Sequence, residues 1–375
     1  MMSPEPTSLV EHFALLEDPR ILRKNQHNLL DIVVIAICGI ICGADDWVSI
    51  AEFGRSKESW FRTFLELPNG IPSHDTFGRV FSLISPTGFQ HCFTQWMRSL
   101  SGVFEGLVAI DGKTLRRSHD GKLNRSAIHM VSAWASENSL VLGQVKTDEK
   151  SNEITAIPEL LRALALKGCL VSIDAMGCQT AIAKQIVEQG GEYLLALKGN
   201  QGNLAEEVEA LFEKADQVGY EGYAVQFLET KERNHGRNEI RRYWAMSCVG
   251  QLVHAKRWSQ LNMVGMVESE RTLDGETSID YRYYIGSFGN DVQTFAKGAR
   301  GHWGVENGLH WVLDVAFRED DSRVRKGHAP ENLALLRHIA VNLLKQEKTA
   351  KLGVKNKRLK AGWNESYLAK LLLGI

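Results

Sequence analysis

The chain has 375 residues, 44% hydrophobic and 24% charged, with a formal net charge of −1. That describes an ordinary water-soluble globular protein with room for two or three cores. It excludes a bulk basic charge that would announce a nucleic-acid partner, so any such surface has to be a local patch. Six cysteines, at 38, 42, 92, 169, 178 and 248, form no CxxC pair, and several lie in apolar runs. They read as reduced core thiols of a cytoplasmic protein. The apolar run Ile32–Ala44 is about 13 residues long, short of the ~20 that a membrane span needs. It predicts a buried helix.

Residues 1–105 read as helical. Ser8 to Glu17 suggests a short helix ended by Asp18-Pro19, and Leu29 to Cys42 the core helix. Asp45-Asp46-Trp47 opens a third and Lys57 to Leu65 makes a fourth. After the breaker Leu67–Pro72, Ser73 is the expected N-cap of a helix over His74 to Ile84, with Asp75 well placed in its first turn. The last helix runs from Pro86 to about Leu100. Pro72–Arg79 also fits the second helix of a helix-turn-helix, offering Ser73, His74, Thr76 and Arg79 to DNA, with plain packing as the other reading.

From Leu107 strands and helices alternate. Leu107–Asp111 is a strand, followed by a polar turn with Lys113, Arg116 and Arg117. Ser126–Ala135 and Leu140–Lys146 look like an antiparallel pair. Then come a helix (Glu153–Leu166), a strand (Cys169–Asp174), a helix (Gln179–Gln189) and a strand (Glu192–Leu197). This order predicts a mixed sheet flanked by helices. About a hundred residues then interrupt the pattern. Leu204–Ala215 is helical, and Tyr223–Thr230, Glu239–Ser247, Leu261–Ser269 and Tyr281–Ser287 read as strands, a β-rich insertion. Its turn at Lys231–Arg237, with Arg241 and Arg242 beside Tyr243 and Trp244, suits phosphate contact plus base stacking, or equally a solvated hairpin.

The run from Gly298 to Asp321 reads as one helix. At about 100° per residue, Val305, Leu309, Val312, Leu313 and Ala316 form an apolar stripe. Glu306 falls roughly 80° from its centre, at the edge of the buried face. His302, Glu306, His310 and Asp314 form a polar stripe at four-residue steps. A carboxylate held on a rigid helix is a good metal ligand, but one carboxylate rarely holds Mg²⁺. Two partners are in view, because the apolar runs ending in Asp111-Gly and in Asp174-Ala-Met-Gly177 put carboxylates at a sheet's edge. Two strand-end Asp and one helical Glu make a three-carboxylate set. Beyond it, Arg323, Arg325, Lys326 and His328 form a basic turn, and Glu331–Leu344 is a helix. Lys345 to Lys360 holds seven Lys/Arg against one Glu, which reads as a solvated tail or a phosphate-binding cluster.

Taken together, Asp111-Gly-Lys, Ile173-Asp174-Ala-Met-Gly, Leu197-Lys-Gly-Asn-Gln201 and His302-Trp-Gly-Val-Glu306-Asn-Gly-Leu-His310-Trp-Val-Leu-Asp314 resemble the H-repeat-associated transposases, of the ISAs-type branch of bacterial DDE insertion-sequence transposases. Gly43–Trp47 and Leu67–Thr76 match the helical domain that accompanies that core, so the resemblance covers nearly the whole chain. It implies an α/β fold with an RNase H-like mixed-sheet core, a β-rich insertion and an all-α N-terminal domain. The implied layout is a helical, possibly DNA-binding domain over 1–105, the core over 106–200, the insertion over 201–290, the rest of the core with the Glu306 helix over 291–346, and a basic tail over 347–375. Asp111, Asp174 and Glu306 become the catalytic and metal-binding triad, with Mg²⁺ as cofactor and Mn²⁺ as substitute. The partners are duplex DNA, at element ends and target, and a second copy of the chain on DNA, with no membrane.

One departure matters. Related transposases often carry Tyr-x2-Arg-x3-Glu-x6-Lys around the Glu; the corresponding residues are Ala299, His302, Glu306 and Leu313. The resemblance therefore leaves phosphate orientation to His302, Asn307, His310 and Asp314. Lys113, Lys198, Arg237, Arg241 and Arg242 complete the candidate DNA contacts, each with a structural role as its alternative. The expected chemistry is two-metal cleavage and strand transfer. The competing readings are a metal-dependent nuclease without strand transfer, and a decayed or domesticated transposase that only binds DNA. A zinc hydrolase using His302, Glu306 and His310 fits the helical spacing but leaves Asp111 and Asp174 without a role.

Overall fold

The computed structural model describes residues 8–21, 25–101, 105–119, 126–147, 153–234, 237–247, 250–273 and 275–373. In chain order the elements are α1 (Leu9–Phe13), α2 (Leu29–Ile41), α3 (Trp47–Ser56), α4 (Glu58–Phe61), α5 (His74–Leu83) and α6 (Pro86–Ser101). Next come β1 (Gly106–Thr114), β2 (His129–Ala135), β3 (Leu140–Lys146), α7 (Glu153–Ala163), β4 (Cys169–Ile173), α8 (Thr180–Glu188), β5 (Glu192–Leu197) and α9 (Gly202–Gln217). The four long strands β6 (Val225–Asn234), β7 (Arg237–Ser247), β8 (Met263–Leu273) and β9 (Glu276–Gly286) follow. The chain ends with α10 (Val292–His302), α11 (Trp311–Phe317), α12 (Ala329–Gln346), α13 (Val354–Trp363) and α14 (Glu365–Leu373). The fold is mixed α/β with mostly antiparallel strand pairs.

The chain divides into two compact units. One takes α1–α6, the chain from Gly112 through β3, and everything from Glu306 on. The other takes β1 up to Asp111 and the chain from α7 to Val305.

The first unit is built around two apolar helices. Every α2 residue but Leu30 is buried, and α12 is buried along nearly its whole length. Three polar side chains in these helices explain themselves through backbone groups. Asp31 accepts the Leu67 N–H at 2.9 Å, and its burial raises its carboxyl above the usual range. Asn342, fully buried, accepts from Val141 N and donates to Val141 O, both at 2.8 Å. It thus serves β3 where the register with β2 slips between Ala133 and Trp134, and an edge strand's open backbone groups find a partner. Asn332 does the same for the end of α5, donating to Phe81 O and Ile84 O. Ser73 caps α5 as expected, accepting from Thr76 N.

The segment from Lys345 on is solvated only in part, since Lys348, Lys351 and Lys355 are exposed. It folds into α13 and α14, and Lys357 and Arg358 are buried. Lys357 Nζ donates to Leu344 O at 2.9 Å and to Glu347 O. Arg358 donates to Ile40 O, to Ala316 O and to Asp45 Oδ1. These cations satisfy carbonyls at the ends of α2, α11 and α12, which helices cannot satisfy themselves. That draws the segment inward.

In the second unit the strand order is β1-β4-β5-β9-β8-β7-β6. β1, β4 and β5 run parallel; β5–β9 and the pairs from β9 to β6 are antiparallel. The insertion therefore continues the sheet from β5. α10 lies on β4, β5, β6 and β7 through Val292, Phe295, Ala296 and Ala299. Phe295 sits edge-on to Tyr243 and Tyr284, with ring centroids at 6.0 and 5.4 Å. Tyr283, on the other face of β9 by strand alternation, meets Phe212 of α9 at 5.9 Å.

Candidate functional site

In the second unit, the site begins with a register. β1 and β4 pair with Ile110 opposite Ile173, so the next residues stand at one level: Asp111 within β1, which runs on to Thr114 and does not end at Asp111 as expected, and Asp174 just past the end of β4. On β5, Leu195 is opposite Ile173, which places Lys198 beyond the same edge, exposed. The Asp174 carboxylate is oriented by its own turn: Oδ1 accepts N–H from Met176 at 3.0 Å and Gly177 at 3.3 Å. Gly177 is required there, because a Cβ would lie 2.3 Å from Ile173 and 2.9 Å from Ile157. The Lys198-Gly-Asn-Gln201 string is a stitch between loops. Asn200 donates to Ala175 O and Gln201 to Cys178 O, so these amides fix the loop after β4.

Small residues bring α10 onto the strands that carry the acids. A Cβ at Gly298 would meet Leu194 at 2.7 Å, and one at Gly301 would meet Leu107 at 2.2 Å. His302, at the end of α10, shares a hydrogen bond with Ser172 Oγ at 3.1 Å. Burial pushes its imidazole below the usual range, against the pull of Asp174. It acts as a neutral clip between α10 and β4.

The predicted single helix over 298–321 is broken. α10 stops at His302, Glu306–His310 forms a π-helical turn, α11 ends at Phe317, and Arg318 is left-handed with φ 50°. A π turn holds one more residue than an α turn, and such turns recur at functional sites. Here it upsets the expected polar stripe. Glu306, expected half-buried, has 54% of its side chain exposed, while His310 is buried. Glu306 Oε2 and His310 Nδ1 are 3.8 Å apart. Burial lowers the His310 imidazole to about 4, with Lys113 adding to the effect, so it is neutral at pH 7. Asn307 is exposed on the same turn. Val305, Leu309, Val312 and Leu313 are buried as predicted.

Lys113 is not poised for a phosphate. Its ammonium is held by Asp314 at 2.7 Å and by Glu319 and Asp320 at 3.2 Å. Burial opposes its charge, but these carboxylates outweigh it and raise the group above its ordinary range. Glu319, itself 2% exposed, also pairs with the buried Arg337 at 3.4 Å. Asp314 thus belongs to this buried charge network and not to a solvated stripe. Nothing in the spacing of Lys113 pointed to Glu319 or Arg337.

The basic patch of the insertion is likewise committed. Arg241 pairs with Glu239 at 2.5 Å and Glu232 at 3.3 Å, and Arg242 with Glu229, Glu268 and Glu270. Arg237 pairs with Glu239 at 3.2 Å. Carboxylates from β6, β7 and β8 neutralise the cations, which favours the hairpin reading over phosphate contact. The tip residues 235–236 lie outside the described residues.

A family model described as the transposase DDE domain matches residues 102–343, and one for its associated domain matches residues 10–97. The chain belongs to the DDE transposase family. "H repeat-associated putative transposase YhhI" of Escherichia coli K12 is 42% identical to this DDE-family chain over 99% of each. "Putative transposase YncI" of Escherichia coli O157:H7 is 41% identical over 97% of this chain and 94% of its own. A piggyBac transposase in a synaptic complex with hairpin DNA aligns over 98% of this chain and 82% of its own, with 10% identity and a TM-score of 0.46, too slight a likeness to carry an argument. The family is one of DNA-processing enzymes of insertion sequences. Among the described residues, no helix is long and apolar enough to cross a membrane.

Proposed function

We propose that this chain is a transposase that cuts the DNA ends of its element and joins them to a target, with Asp111, Asp174 and Glu306 as the acid triad. One observation carries the proposal: in a DDE-family chain, Asp111 and Asp174 each follow the paired Ile110 and Ile173 on adjacent parallel strands, side by side. The parallel order β1-β4-β5 in the second unit and the antiparallel pair β2–β3 in the first support an RNase H-like core. The donor set suits a hard divalent cation such as Mg²⁺, or Mn²⁺ in its place. Carboxylate oxygens are what such ions take, and Asp174 spends only Oδ1 on its own turn. Bound metal supplies the Lewis acidity that lowers the pKa of water and offsets charge at phosphorus.

The remaining work belongs to the protein. Asp111 and Asp174 hold their carboxylates on rigid strands, and the Met176 and Gly177 N–H groups fix the second against rotation. Glu306 is presented outward by the π turn, with a neutral His310 beside it. Lys198 supplies a positive charge beyond the strand ends and is the proposed phosphate contact, with Asn307 as a neutral donor next to Glu306. Cutting both ends of one element in step calls for two copies of the chain on duplex DNA.

The test is cleavage and joining of a labelled element-end duplex. Asp174→Asn keeps an oxygen for the turn but removes the negative charge. We expect it to bind the duplex as wild type does, and to lose Mg²⁺-dependent cleavage by about 100- to 1,000-fold, the range lost when a principal catalytic electrostatic group is removed. Wild-type cleavage by this variant would strike Asp174 from the triad. Cleavage by the wild type without joining would favour the nuclease reading.

A further inference from the structure

A cleft of about 640 Å³ in the first unit lies among the starts of α3 and α5 and the basic turn that precedes α12. Its floor is Trp47, stacked on Phe81 with centroids 5.0 Å apart. Trp47 can lie flat across α5 because position 78 is glycine; a Cβ there would stand 3.2 Å from the indole. The basic turn is pinned to the end of α5. Gly327 has φ +53°, and a Cβ on it would lie 2.6 Å from Ser82 O, the same carbonyl that accepts the His328 N–H at 3.2 Å. The turn is therefore a built wall of the cleft, fixed by backbone contacts.

The charges in the cleft are unequal in what they are paired with. Asp45 is bound by Arg358 at 2.7 Å, and Asp46 accepts from Ser49 N as the cap of α3. Asp321 is shared by Arg117 and Arg318. Among the described residues, Asp75 has only His74 as an ion-pair partner, at 3.6 Å. Among the described residues Arg79, Arg323 and Lys326 have no carboxylate within ion-pair distance, and all three are exposed. Arg325 donates to a carbonyl, Arg117 O, and not to an acid. Two of the four acids lining the cleft, Asp45 and Asp321, are thus ion-paired with arginines, and Asp46 and Asp75 are not. Three exposed cations around one cleft, with no carboxylate within ion-pair distance among the described residues, outnumber those two and match the spaced negative charges of a nucleic-acid backbone.

We propose that this cleft is a phosphate-backbone groove for duplex DNA, a contact surface separate in its residues from the acid triad. It rests on the reading of the chain as an enzyme that acts on DNA. It differs from a helix-turn-helix in using α5 for a charge, Arg79, and not for base edges. The occupant is duplex DNA of any sequence.

The experiment measures binding of the full chain to a labelled mixed-sequence duplex by fluorescence anisotropy, in EDTA, over a series of KCl concentrations. The groove variant carries Arg79→Gln, Arg323→Gln and Lys326→Gln. A charge-matched control carries Lys348→Gln, Lys351→Gln and Lys355→Gln, which are exposed and outside the cleft. With about 0.9 in the slope of log K against log[KCl] for each neutralised phosphate, the groove variant is expected to lose about 2.7 and the control much less. A groove-variant slope equal to that of wild type, or an equal loss in the control, overturns the proposal. Thermal melting of both variants checks that they fold. Because no cleavage is read and no metal is present, this outcome is independent of the Asp174 test: a chain that never cuts DNA can still show the groove's slope, and one that cuts can lack it.

Discussion

The buried guanidinium of Arg358 offers the sharpest test of how the C-terminal segment is held. The side chain is 5% exposed. It donates to Ile40 O at 3.1 and 2.8 Å, to Ala316 O and to Asp45, and its guanidinium carbon stands 4.1 Å from the centre of the Phe317 ring. Arg358→Met keeps most of the stem's apolar bulk and strands two carbonyls. At about 1–3 kcal/mol for each unsatisfied buried acceptor, and about 1 kcal/mol for the lost ring contact, the sum is about 3–7 kcal/mol. Asp45 is 28% exposed, so water can replace its share. Asp45→Asn should therefore cost only about 1 kcal/mol. The assay is urea unfolding followed by tryptophan fluorescence, with the free-energy change taken from the midpoint shift at a common slope. A loss below about 1 kcal/mol for Arg358→Met would refute the reasoning, because the carbonyls would then have found water and the segment would not depend on its cation.

Two further outcomes follow from buried groups elsewhere. His338 is fully enclosed, and burial, with Arg337 and Lys113 nearby, lowers its imidazole to about 3. A base whose folded pKa lies below its unfolded value of about 6.5 binds a proton more readily when unfolded, so stability drains as pH falls from about 6.5 toward 3. The slope approaches about 1.4 kcal/mol per pH unit, and His338→Leu should remove about 2 kcal/mol of the loss measured between pH 6.5 and 4.5; an unchanged pH profile would show the ring is not kept neutral by burial. Gly265→Ala puts a methyl 2.4 to 2.8 Å from the ring atoms of Phe295, which Tyr243 and Tyr284 hold from two sides. A cost of about 2 kcal/mol is expected from overpacking, read from the same urea titration, and a neutral result would mean that α10 can lift from the sheet.

The parts that could be read from the sequence are those set by local chemistry. Short apolar runs closing on Asp-Gly and Asp-x-x-Gly located the strands that carry the carboxylates, although β1 runs on past Asp111 to Thr114 and only Asp174 follows the end of its strand. Ser73 caps α5 as expected and α3 opens after Asp46 as read, since a cap needs only its own next three residues. What failed depended on distant partners. The carboxylates that occupy Arg242 come from residues 229, 268 and 270, on other strands. Those that occupy Lys113 lie some two hundred positions on, at 314, 319 and 320. Arg358 looked like part of a solvated run because its acceptors, at positions 40 and 316, are invisible from its own neighbourhood. The site helix failed for another reason: a constant angle per residue was assumed through Glu306–His310, where the backbone does not keep it.

That slip has a bearing on how relatives of this protein should be compared. The π turn Glu306–His310 does not keep the α-helical count, so α11 starts a fresh count at Trp311. An indel of a single amino acid in this short window would swing Glu306 about a quarter-turn relative to the hydrophobic side of α11 while leaving both flanking helices intact. Alignments that run one unbroken periodicity through the window will pair the wrong positions, and chemistry and packing there have to be matched from separate origins.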